Sequence, residues 1–176
     1  MSEVEWEITH WNNGQKRGAI PFVNGQRHGT ETWWYEDGQK SSAIPFVNGE
    51  RHGTETWWYS NGQKRSAIPF VNGQRHGTET RWHDNGQKRN MVPFVNGQEH
   101  GTEMWWYKGG QKKIETPWVH GQEHGTDTSW NQDGSLGAIQ KWHRHERLVS
   151  FQFDHLHVPE DAKLEVNPLT GEYKVT

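Results

Sequence analysis

The 176 residues contain no cysteine, which excludes a disulfide framework, a thiolate metal site and a thiol nucleophile. Long apolar runs are also missing. No stretch of roughly 18 apolar residues is present to cross a bilayer as a helix, and no charged-then-apolar leader opens the sequence. A soluble cytoplasmic protein with no membrane span is the expectation. Charge of one sign is scarce as well: a net charge of −3 and a pI near 6.4 leave no electrostatic footprint for nucleic acid or an anionic membrane. No segment shows the 3.6-residue apolar period of a helix. Phosphate loops, nucleophile elbows and zinc-protease signatures are absent, and Gly134-Ser135-Leu136-Gly137 lacks the spacing of an elbow. No cofactor or catalytic residue is expected.

Glycine and tryptophan are abundant instead, and they recur on a fixed period. Glycines stand at Gly14, Gly38, Gly62, Gly86, Gly110 and Gly134, and again at Gly25, Gly49, Gly73, Gly97 and Gly121, each series stepping by 24 residues without an insertion. A period of that size means stacked copies of one supersecondary unit. Each unit holds two apolar runs, such as Thr54-Glu55-Thr56-Trp57-Trp58-Tyr59 and Ser66-Ala67-Ile68-Pro69-Phe70-Val71, separated in most copies by Asn-Gly or Asp-Gly. These runs have strand length and strand composition, and Asn-Gly between them is the signal of a type I′ hairpin. The reading is an all-β, elongated and twisted single-layer antiparallel meander, with about eleven strands between Glu5 and Asn131, roughly 50 Å across, and a C-terminal β cap.

With two-residue turns, pairs around Asp37-Gly38 sum to 75, placing Trp34 opposite Ser41 and Glu31 opposite Ile44. Pairs around Asn48-Gly49 sum to 97, placing Phe46 opposite Arg51 and Ile44 opposite Gly53. Glu31, Trp33, Tyr35, Ile44 and Phe46 then share one face, and Thr30, Thr32, Trp34, Ala43, Pro45 and Val47 the other. Twelve Trp would cover both faces of a sheet that has no second layer. Gly29 and its counterparts would leave bare backbone for a ring to lie on. Pro21, Pro45, Pro69, Pro93 and Pro117 cannot donate to a ladder, so each unit should carry a bulge and a bend near its second turn.

These residues carry a family resemblance. The Gly-x-x-His-Gly-Thr…Trp-Tyr-x-x-Gly pattern resembles the MORN repeat. The fuller Trp-Tyr-x-Asn-Gly-Gln-Lys…Pro-Phe-x-Asn-Gly-x-x-His-Gly is closer to its variant, over roughly residues 6–134. The resemblance implies elongated single-layer arrays of β-hairpins that serve as scaffolds and partner-binding surfaces. For bacterial members of the variant it implies the antitoxin of a toxin–antitoxin pair. The organisation expected is a partial repeat or N-terminal cap at 1–12, the array at 13–134, and a cap or homodimerisation tail at 135–176.

Within the array some columns hold and others vary. Trp34, Trp58, Trp82, Trp106 and Trp130 never change, as packing demands. The column before them reads Trp33, Trp57, Arg81, Trp105, Ser129, and the one after reads Tyr35, Tyr59, His83, Tyr107, Asn131. Aromatics with Arg are the usual composition of interface hot spots. Trp33, Tyr35, Trp57, Tyr59, Arg81, His83, Trp105 and Tyr107 are therefore the candidate partner-binding residues, for a protein partner such as a toxin. Stacking of sugars on the Trp rings is the alternative function.

His28, His52, His76, His100 and His124 stand two strand spacings apart, too far to share a metal ion, and suit hydrogen bonding at the turn instead. The Glu31, Glu55, Glu79, Glu103, Asp127 column reads as a solvated charge row balancing Lys and Arg. Lys16-Arg17, Lys64-Arg65, Lys88-Arg89 and Lys112-Lys113 read as solvated turn charges that would also steer an acidic partner. In the tail, Ile139–Trp142 and Arg147–Phe153 read as strands, and a hairpin joins 163–166 to 172–175. His143, His145, His155 and His157 form two His-x-His pairs, the one candidate metal cluster, with a plain polar strand face as its alternative.

Overall fold

The computed structural model describes residues 3–143, 146–156, 164–167 and 173–175. Among them there is no helix. The strands run in chain order as β1 (Glu5–His10), β2 (Lys16–Val23), β3 (Gln26–Arg27), β4 (Gly29–Trp34), β5 (Lys40–Val47), β6 (Glu50–Arg51), β7 (Gly53–Trp58) and β8 (Lys64–Val71). They continue as β9 (Gln74–Arg75), β10 (Gly77–Trp82), β11 (Lys88–Val95), β12 (Gln98–Glu99), β13 (Gly101–Trp106), β14 (Lys112–Val119), β15 (Gln122–Glu123) and β16 (Gly125–Trp130). After them come β17 (Leu136–His143) and β18 (Glu146–Leu156), and β1 to β18 form one antiparallel sheet. A separate hairpin pairs β19 (Leu164–Val166) with β20 (Tyr173–Val175). Short pieces such as β3 and β4 are halves of one strand broken at His28. Counted once each, eleven strands lie between Glu5 and Trp130, as the repeat requires.

The second turn forms as expected. Val47 pairs with Glu50 across Asn48-Gly49, and both turn residues take positive φ, at 50° and 85°. Those are the conditions for a type I′ turn. The Gly49 N–H also donates to the Arg27 carbonyl at 2.8 Å, so successive turns are stitched together along the edge.

The first turn differs from expectation. The connection is three residues, Glu36-Asp37-Gly38, closed by the Gly38 N–H donating to the Tyr35 carbonyl at 3.0 Å. Gly38 is left-handed at φ 83°, while Asp37 is not. Asp37 instead accepts the Gln39 N–H on its own side chain at 2.9 Å, a local bond that favours this form. The sum of 75 holds from Gly29↔Phe46 to Trp33↔Ser42, but the next pair is Trp34↔Lys40, which leaves Ser41 as an extra residue. The expected pair of Trp34 with Ser41 does not form. The same step recurs in every unit, and it re-aims the side chain at that position.

A second irregularity falls at the proline. Phe46 pairs with Arg51, as a sum of 97 requires, but Ala43 pairs with Thr56 and not Thr54. Two extra residues, His52 and Gly53, are taken up opposite Pro45, and the His52 N–H donates to the Pro45 carbonyl at 3.0 Å. Ile44 and Gly53 therefore do not face each other. A shift of two preserves the faces, so Ile44 and Phe46 stay on the side of Glu55. The ring lying on Gly53 is not aromatic: Gly53 has φ 109°, and a Cβ there would come 3.1 Å from the Pro45 ring. An indole does rest on bare backbone at Gly18, where a Cβ would meet Trp33 at 2.7 Å.

The interior is one side chain deep. Ile20, Ile44, Phe46, Phe70, Val92 and Phe94 are buried on the face that also carries Glu31 and Trp33. With no second layer available, this face supplies its own roof. Arg27 lies over Phe46 at 5.3 Å, Arg51 over Phe70 at 5.2 Å and Arg75 over Phe94 at 4.2 Å. Guanidinium stems and indoles thus take the place of a packed helix.

Candidate partner-binding face

Under that roof the glutamate column is buried rather than solvated, which corrects the sequence expectation. Glu31 and Glu55 are 5% exposed and Glu79 is 2% exposed. A buried carboxylate is tolerable only when it is paired and hydrogen-bonded, and the first three units meet the demand with an arginine on one oxygen and a second N–H donor on the other. The Trp33 indole N–H donates to Glu31 Oε1 at 2.6 Å, and Arg27 Nη1 stands 3.1 Å from Oε2. Trp57, Glu55 and Arg51 repeat the arrangement at 2.6 Å and 3.3 Å. In the third unit Arg81 stands where Trp would be, and its Nε lies 2.7 Å from Glu79 Oε1 while Arg75 holds the other oxygen at 3.3 Å. Trp and Arg alternate in this column because either delivers an N–H to the same carboxylate.

The fourth unit solves the problem differently. Glu99 replaces the arginine and Trp118 replaces the phenylalanine; Glu103 then accepts from Trp105 at 2.6 Å and from Trp118 at 2.9 Å. Burial pushes the Glu103 carboxyl above its ordinary range against those two bonds, and the neighbouring Glu99 and Glu123 push it the same way. Asp127 is raised by burial too, opposed by the Thr116 hydroxyl and the Thr128 backbone N–H.

The tyrosine column staples each unit to the next. The Tyr35 hydroxyl donates to the Trp58 carbonyl at 2.6 Å, Tyr59 to Trp82 at 2.9 Å and Tyr107 to Trp130 at 2.9 Å. His83 Nε2 makes the equivalent contact with the Trp106 carbonyl at 3.2 Å, and Trp11 Nε1 donates to the Trp34 carbonyl at 3.2 Å. All eight candidate binding residues therefore also have a structural task.

Two hollows open on this face. The larger, about 420 Å³, is bordered by Trp11, Arg17, Trp33, Trp34, Tyr35, Ser41, Ser42, Trp57 and Arg65. The smaller, about 340 Å³, is bordered by Trp57, Tyr59, Arg65, Ser66, Ile68, Arg81, Trp82 and Arg89. Trp57 and Arg65 belong to both, so the hollows join into one trough running across the strands. Trp33, Tyr35, Trp57, Tyr59 and Arg81 are thus brought together. His83, Trp105 and Tyr107 continue the same columns farther along, where Arg89 lies 5.9 Å from the Trp105 ring and Lys113 lies 5.6 Å from that of Tyr107.

Arg17, Arg65 and Arg89 were not among the candidates. They occupy the bulge position, equivalent to Ser41, which plain alternation assigns to the opposite face. The bulge turns them into the trough, where Arg17 stacks on Trp11 at 4.9 Å. Trp34 also borders the larger hollow, where its backbone carbonyl accepts the Trp11 indole N–H. Only the recurrence of Arg at one column could have flagged these residues.

The histidine column behaves as a turn element: His28 Nδ1 accepts the Asn48 N–H at 3.4 Å, and later units repeat this at 3.5 Å. Of the tail cluster, His145 and His157 lie outside the described residues, as does the side chain of His155, and among the described residues no group of three potential ligands assembles.

The family model described as the MORN repeat variant matches residues 27–48, 51–72 and 75–96. Those are the three consecutive units in which arginine covers phenylalanine and salt-bridges the buried glutamate. No curated protein matches the chain.

Proposed function

We propose that this hairpin array of variant MORN-type units is a non-catalytic scaffold that holds a protein partner in the trough. The observation that carries the reading is the trough itself: two adjoining hollows lined by Trp33, Tyr35, Trp57, Tyr59 and Arg81, with the indole N–H groups of Trp33 and Trp57 held by buried carboxylates. Trp57 remains 36% exposed although it sits beside a buried row. Exposed aromatics and arginine over a hydrogen-bonded sheet are what a partner-recognition surface requires. A toxin held by its antitoxin is the specific form of this proposal, in the cytoplasm.

The test is affinity capture from the source cell, with the bound protein identified by mass spectrometry and its complex rebuilt from purified components. One specific protein should bind. Replacing Trp57 and Trp105 by Phe and Arg81 by Gln should weaken the rebuilt complex at least about tenfold while circular dichroism stays unchanged. Binding of a glycan from a panel, with quenching of tryptophan emission and no protein partner, would overturn the proposal in favour of sugar recognition.

A further inference from the structure

The trough has a period as well as a chemistry. Positions 17, 41, 65 and 89 carry Arg, Ser, Arg and Arg at intervals of one unit, and all four border the two hollows. One unit is two strand spacings, roughly 9.4–9.8 Å. The four positions therefore span roughly 28–29 Å across the strands. Arg65, at the junction of the hollows, has no carboxylate within ion-pair distance among the described residues, whereas Arg27, Arg51, Arg75 and Arg81 all do. Ser42, which borders the larger hollow, is 1% exposed, and its hydroxyl has no hydrogen-bond partner. The trough thus holds an arginine free of carboxylates, while the buried glutamates are already ion-paired with Arg27, Arg51, Arg75 and Arg81.

A chain lying in this trough must present acceptors at the same interval. An extended β-strand repeats a face every two residues, roughly 6.6–6.8 Å, and falls out of step after one unit. An α-helix is roughly 10–12 Å wide and returns to one face every turn, roughly 5.4 Å, so two turns, roughly 10.8 Å, overshoot the unit by about 1 Å each time. Polyproline II has three residues per turn at a 3.1 Å rise, roughly 9.3 Å, and matches the unit within a few tenths of an ångström. Aromatic-lined grooves are also the usual receptors for that conformation, because its stiffness lowers the entropy lost on binding.

We infer that the trough receives a proline-rich segment of a protein partner in polyproline II form, with an acidic residue at every third position facing Arg17, Arg65 and Arg89. This rests on the reading of the trough as the protein-binding face and names the chemistry of what enters it. Pyrrolidine rings pack between Trp33 and Trp57, and each carboxylate meets one guanidinium. At Ser41 the series lacks its cation, so the acid opposite that position is unpaired.

A synthetic peptide of four Glu-Pro-Pro triplets, roughly 37 Å long in polyproline II, tests this by fluorescence anisotropy on the full chain. The same assay is run with Glu-Gly-Gly triplets, Lys-Pro-Pro triplets and a polythymidylate oligonucleotide. The acidic proline peptide should bind at least about tenfold more tightly than each of the other three, and more weakly as salt rises. Arg65→Gln should weaken it at least about fivefold. Ser41→Arg, which completes the series, should tighten it by several-fold, a gain that misfolding cannot produce. Equal binding of the glycine peptide, the lysine peptide or the oligonucleotide would overturn the inference, as would no binding of the acidic proline peptide or indifference to both variants. A captured partner that depends on Trp57 and Arg81 while the peptide fails would leave the protein-binding role standing without this ligand.

Discussion

Arg81 shows how a single side chain here serves two ends. It replaces a tryptophan, borders the smaller hollow and also neutralises Glu79, which is 2% exposed. Removing one partner of a buried charge costs the desolvation of what remains, about 1–3 kcal/mol or more. Arg81→Leu should therefore lower the stability measured by urea denaturation by about that amount. Arg81→Trp, which restores the indole N–H seen at Trp33 and Trp57, should stay within about 0.5 kcal/mol of the parent. The pair of variants separates loss of a hydrogen-bond donor from loss of charge. If both fall equally, the carboxylate needs the cation and the column is not interchangeable. The exchange of Trp for Arg was visible in the sequence, but its reason was not. Nothing in the order of residues says that the neighbouring glutamate is buried, because burial of a polar residue depends on what roofs it.

At the scale of the hairpin, the fourth and fifth units differ from the first three in how they treat the same carboxylate. Glu103 and Asp127 have raised pKa values in the fold, chiefly through burial. The folded chain then binds those protons more tightly than the unfolded chain does. Their contribution favours folding most below the ordinary carboxylate range, and it is lost as pH rises through the raised values. Hydrogen-exchange protection of β13 to β16 should accordingly increase as pH falls from neutral toward the ordinary carboxylate range, with intrinsic exchange rates corrected. The diagnostic quantity is the difference between the parent and Glu103→Gln: stability should fall less steeply with rising pH in the variant, because the negative slope that Glu103 contributes is removed. A steeper fall with rising pH in the variant than in the parent would mean that the carboxylate is stabilised as its anion. The strands and the type I′ turn at Asn48-Gly49 were legible, since Asn-Gly between β-branched and aromatic runs demands positive φ at both positions. The three-residue turn at Gly38 was not, because the same dipeptide accommodates either connection and the Asp37 side chain decides locally.

Across the whole molecule, stability follows from contacts between adjacent units, with Tyr35, Tyr59 and Tyr107 as the staples and the Gly49 and Gly73 N–H groups as the edge stitches. Deleting residues 51–74 removes one whole unit and joins Glu50 to Arg75 in the register that Arg51 had. The shortened chain should remain folded by circular dichroism, with a lower denaturation midpoint, because a repeat array loses one nearest-neighbour term at a time. Deleting residues 51–62 instead breaks the pattern and should abolish cooperative unfolding. The sequence by itself determined the all-β class, the 24-residue unit, the second turn, the interruption of the ladder at each proline and the composition of the aromatic columns. Those follow from dihedral preferences and spacing, which act within a few residues. The tertiary structure alone decided which charges are inside and which line the trough. One extra residue at Ser41 and its equivalents reverses the alternation locally, and only closure of the hydrogen-bonded turn at Gly38 determines that it is there.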